Sequence, residues 1–191
     1  MDSVKKILEN NINIILMIMA CVLGYIFGAG TVRMLDAANL ESYVGYIKVF
    51  MSPQSAQTFL SSFLDGPLYV IVVFLLGFSL IGFLFILPII FYKAYTIGLT
   101  SALCYLAYGI YGSIYVISAV FPSAIIIFLL MCLSGNQSMS FSLSTLNGSD
   151  NQTTKSNLKN HILVGVLLCI FSFVTVLWSL YVNPFILGII N

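Results

Sequence analysis

Apolar residues fill this chain in long blocks, with short polar stretches between them. The run from Ile12 to Val32 carries no charge, and its length matches the roughly 20 residues a helix needs to cross hydrocarbon. From Leu68 to about Leu133 the only charge is Lys93. So much continuous apolar length leaves no face for water, and it predicts about three passes. The pattern places helices over about 68–92 and 94–108. A partial or interfacial helix to Phe121 and a span over 123–141 follow. Because Pro122 interrupts the stretch, a single kinked span over 113–143 is the alternative. The last run predicts a helix over 161–182, ended by Asn183-Pro184. The fold class expected is all-α: one polytopic transmembrane bundle of about five spans, with a possible broken or re-entrant helix near Pro122.

The polar stretches divide this bundle without adding a second domain. Residues 1–11 allow a short amphipathic helix carrying Lys5 and Lys6. Residues 39–64 predict an amphipathic segment of two short helices. In it Tyr43, Tyr46 and Phe50 recur at helical spacing, as do Phe59 and Phe63 beyond a Ser52-Pro53 start signal. These aromatic residues either cap their own bundle or form a docking surface for an extracytoplasmic partner. Residues 144–160 read as a polar loop. Its two glycosylation sequons, at Asn147 and Asn151, are discounted because the loop falls on the cytoplasmic side. The first run exceeds the 7–15 residues of a signal-peptide core, which favours a retained helix, although Gly28-Ala29-Gly30 would permit cleavage.

Composition agrees with the pattern. The chain has 191 residues, 60% of them hydrophobic and 7% charged, with a mean hydropathy of +1.08. A water-soluble domain carries about 25% charged residues. Seven basic residues against six acidic ones give a net charge of +1, and they form no patch for nucleic acid. Their distribution sets an expected orientation. With the N-terminus inside, Lys5, Lys6, Lys93, Lys155 and Lys159 lie in the cytoplasm and Arg33 and Lys48 outside, as the positive-inside rule prefers. The expected location is a bacterial cell membrane, with the C-terminus extracytoplasmic.

Little chemistry is available within the spans. They contain no carboxylate, so general acid–base catalysis lacks its titratable group. The serines, Ser79 among them, are expected to bond their own backbone carbonyls. No enzyme activity, cofactor or metal site is expected. Cys21, Cys104, Cys132 and Cys169 all sit in apolar runs as packing residues, and one histidine cannot complete a metal site with them. Gly24 and Gly28 form a GxxxG patch for close helix packing, within this chain or with another, and Gly77, Gly82 and Gly98 are further packing candidates. Lys93 is read at the cytoplasmic end of its helix, with its ammonium snorkelling to headgroups. Its functional alternatives are anchoring a cytoplasmic partner or lining an internal cavity. Asn136, Gln137 and His161 are expected at the membrane interface.

Several landmarks resemble one family. Gly77-Phe-Ser79-Leu-Ile81-Gly82, then Lys93, Gly98-Leu-Thr100, the Gly109/Gly112 pair, Pro122 and Phe141-Ser142 keep an order and spacing similar to the stage II sporulation protein M family. The resemblance covers about a third of the chain. It departs from the family at Ala94, at Ser123-Ala124 and at Ser179, where the family more often carries Gly, Gln-Asn and Glu. It implies that the glycine-serine motif lies at the heart of the second helix and that Ser79, Lys93 and Pro122 are of functional interest. It also implies a non-enzymatic membrane scaffold that holds peptidoglycan-degrading partners during endospore engulfment. Related membrane proteins beside ATP-binding partners imply the alternative, a permease-type subunit in peptide (bacteriocin) export or self-immunity. No Walker A motif is present, so a separate ATPase would drive it. A homo-oligomer is compatible with either.

Overall fold

A computed structural model describes residues 12–50, 64–79, 82–146, 151–182 and 185. Among them every regular element is helical: α1 (Ile12–Thr31, continued by a 3-10 turn to Met34), α2 (Ala37–Phe50), α3 (Pro67–Leu76), α4 (Gly82–Tyr108), α5 (Ile110–Tyr115), α6 (Phe121–Leu146) and α7 (Asn151–Leu177). π-helical turns follow α5 at Val116–Val120 and α7 at Trp178–Val182. Among the described residues four stretches, where about five were expected, are long and apolar enough to cross a membrane: Ile12–Met34, Leu84–Tyr108, Ile110–Met139 and His161–Val182. The transmembrane helical bundle is therefore present as the hydropathy pattern requires. Its lipid-facing surfaces are the expected stripes, Leu16, Met19, Leu23 and Phe27 on α1, and Leu163, Leu167, Ile170 and Val174 on α7.

The passes break at other places than the sequence suggests. No turn occurs at Lys93. The chain reverses at Gly77–Gly82, where the amides of Gly77, Phe78, Ser79 and Gly82 each donate to a carbonyl three residues back. The glycine-serine motif is thus a turn and not the heart of a helix, and the expected 68–92 helix divides into α3 and the first part of α4. The reason is local: Gly82 lies so close to the Leu76 carbonyl that a Cβ there would overlap it, and the uniformly apolar flanks mark no boundary. At ten residues, α3 rises about 15 Å, half of a hydrocarbon layer of about 30 Å.

At 113–143 the chain forms one span, so nothing re-enters at Pro122. A proline ring removes one amide and crowds the carbonyl four residues back, and the helix absorbs this in the π turn just before it. Trp178 Nε1 donates to the Ala119 carbonyl (3.2 Å) and Ser123 Oγ to that of Val120 (2.9 Å), which satisfies the loosened turn.

α4 and α5 reverse across Gly109 alone, whose φ of 59° and ψ of −128° suit only glycine. A Gly109→Ala variant is expected to lose about 1–3 kcal/mol of stability, seen as a lower midpoint in thermal denaturation in detergent.

α1 and α4 run parallel in close contact. Gly24 sits on the Phe91 carbonyl and 2.9 Å (measured from a Cβ built on it) from Ala94 Cβ. Gly28 sits on the Tyr95 carbonyl, and Gly98 returns the contact on the Tyr25 carbonyl. The GxxxG patch therefore serves the chain's own bundle. On the other side of α4, Ile86 and Ile90 join Met17, Val70, Val73 and Met131 in the main core.

Candidate functional site

The half-length helix α3 fixes the geometry of the site. It lies between α6 and α7, parallel to the first and antiparallel to the second. Gly66 at its start faces Ile127 and Thr175, and Gly77 at its end faces Ser138 and His161. Ser138, His161 and Thr175 face α3 along this groove, and Ser134 and Ser172 are also buried on the same two helices. Ser138 Oγ donates to the Val73 carbonyl of α3 (3.1 Å), while Ser172 and Thr175 bond their own helix.

The start of α3 carries the charge. Lys93 Nζ donates to Asp65 Oδ1 at 2.6 Å and lies 5.0 Å from the centroid of the Tyr69 ring. The two partners differ in exposure: the lysine side chain is 4% exposed and the aspartate 84%. Their depth follows from register. Lys93 is adjacent to Ala94, which packs on Gly24, and Gly24 is at the centre of Ile12–Met34. The pair therefore lies about halfway through the apolar layer. A charge at that depth is costly unless it is paired, and it marks a functional site by default. Lys93 is thus neither at a helix end nor snorkelling.

The end of α3 meets His161, the first residue of the last span, 1% exposed because protein encloses it. Its ring lies 5.0 Å from that of Phe74 and 4.9 Å, edge to face, from that of Phe78. Phe74 in turn packs on Gly165, where a Cβ would overlap the ring. The imidazole thereby pins the turn that contains Ser79, itself exposed.

The remaining sequence candidates are scattered. Tyr43 and Tyr46 are exposed on α2 at the far end of α1. The Phe50 side chain, Phe59 and Phe63 lie outside the described residues, as do Lys5 and Lys6. Cys21 of α1 and Cys132 of α6 meet thiol to thiol inside the bundle. Among the described residues, no three His, Cys, Asp or Glu side chains converge to hold a metal.

Sequence reasoning singled out Lys93 but missed Asp65 and Tyr69. Two signals could have found them. Asp65-Gly66-Pro67 is a helix-start pattern just ahead of the expected 68–92 span, and a lone lysine amid apolar residues calls for a carboxylate. No family model, curated protein or solved structure matches this chain, so the resemblance noted above rests on its own residues.

Proposed function

We propose that this chain is a permease-type subunit of a peptide export or self-immunity complex in a bacterial cell membrane, driven by a separate ATPase. The observation behind it is the Asp65–Lys93 pair at half depth, held where a half-length helix begins. Transporters build their sites there, from helices that stop partway through the layer. A bundle that serves only as an anchor has no need of a charge pair in lipid. With Lys93 counted inside the layer, Lys5, Lys6, Lys155 and Lys159 oppose Arg33 and Lys48, which still favours a cytoplasmic N-terminus and an extracytoplasmic C-terminus.

The exposed Tyr43 and Tyr46 favour a second reading: a scaffold similar to stage II sporulation protein M, holding peptidoglycan hydrolases at the extracytoplasmic face. Purification from native membranes in mild detergent separates the two. An ATP-binding protein is expected to copurify. A murein hydrolase in its place would overturn the permease and support the scaffold, and a chain that retains neither partner after cross-linking would remove both.

A further inference from the structure

The two halves of the ion pair face opposite environments. The Lys93 ammonium is enclosed by the bundle, while the Asp65 carboxylate it bonds is 84% exposed. Lipid cannot solvate a carboxylate at this depth, because an ionised group in hydrocarbon needs water, a counter-charge or hydrogen bonds. The open side of Asp65 therefore faces something polar. The surrounding groups show what it would accept. Tyr69 presents its ring to the ammonium, whose nitrogen lies 5.0 Å from the ring centroid. A carboxylate beside an aromatic face is a pairing that recognises an organic cation.

We propose that Asp65 and Tyr69 form a water-accessible site for a solute ammonium group halfway across the membrane, and that Lys93 is its resident occupant. Lys93 reaches the carboxylate from within the bundle, and an incoming amine reaches it from the open side. The solute competes with a tethered ammonium, so its apparent affinity falls by the fraction of time the tether is bound. The inference rests on the permease-type reading and gives its cargo a chemical class, a primary amine or a lysine-bearing peptide. If an ATPase copurified and no amine bound, the site would fall and that reading would stand.

The probe is dansylcadaverine, with the alcohol of equal length as control. Fluorescence anisotropy is followed on the full chain in nanodiscs of phosphatidylcholine and phosphatidylglycerol, which hold no primary-amine lipid. Lys93→Gln vacates the site and leaves Asp65 exposed, so it folds; the amine should bind it at least about tenfold more tightly than wild type. The double variant Lys93→Gln/Asp65→Asn, which has no charge left to bury, should lose that gain, and the alcohol should bind none of the three. An Asp65→Cys/Lys93→Gln variant, which leaves no ammonium unpaired, should also react with a membrane-impermeant methanethiosulfonate above the wild-type background. The proposal is overturned if the Lys93→Gln variant binds no more tightly than wild type, if the double variant keeps the gain, or if the introduced thiol is unreactive.

Discussion

Gly28→Leu is expected to abolish the folded bundle. A Cβ at position 28 would coincide with the Tyr95 carbonyl and come 2.9 Å from the Leu99 amide nitrogen. Both are backbone atoms within α4, so no side-chain rotation relieves the overlap. The helices must separate, and separation removes the contacts that hold them, because apolar side chains gain no hydrophobic advantage from each other inside lipid. What holds α1 to α4 is close packing, with Cα–H groups set against carbonyl oxygens at Gly24, Gly28 and Gly98. Core overpacking costs about 1–3 kcal/mol where side chains can yield, and here the obstacle is a peptide unit. The variant should still insert but become protease-sensitive and aggregate in size-exclusion chromatography. Gly30→Leu, at a position whose Cβ meets nothing within 4 Å, should behave as wild type. Equal behaviour of the two variants would show that α1 and α4 do not pack as described.

The ion pair should respond asymmetrically to the loss of either partner. Asp65→Asn leaves the enclosed Lys93 ammonium without its counter-ion. Breaking a buried pair in this way costs about 3–5 kcal/mol, so the variant should denature at markedly lower temperature or denaturant. Lys93→Met removes the enclosed charge and leaves the carboxylate on its exposed side. Its loss should be much smaller, and the double variant Asp65→Asn/Lys93→Met should recover most of the stability lost by Asp65→Asn alone. Thermal unfolding of the four proteins in one detergent closes this cycle. Equal losses from the two single variants would mean that Asp65 is enclosed as deeply as Lys93.

Lys93 also marks where the sequence stopped being informative. Apolar length alone was enough for the helical class and for the first and last spans, since few arrangements other than membrane helices satisfy the backbone in lipid. The same uniformity hid the turn. Where nearly every residue is apolar, helix ends carry no change of periodicity, and the single charge was read as an interface. Its counter-ion lies 28 positions earlier, in a segment taken to be outside the membrane. Pairing at that separation is a property of the packed bundle. The glycines were recognised as packing residues, but their partners became visible only in the fold. The enclosure of His161 is hidden for a similar reason, because its aromatic neighbours Phe74 and Phe78 come from a distant part of the chain.

The chain has one tryptophan, and its indole is spent on the Ala119 carbonyl, at the loosened turn before Pro122. Any rearrangement in which α6 and α7 slide past each other must break that bond and change the surroundings of the fluorophore. The native protein thus carries its own optical gauge of motion at this joint, and its ultraviolet emission can be followed without a label.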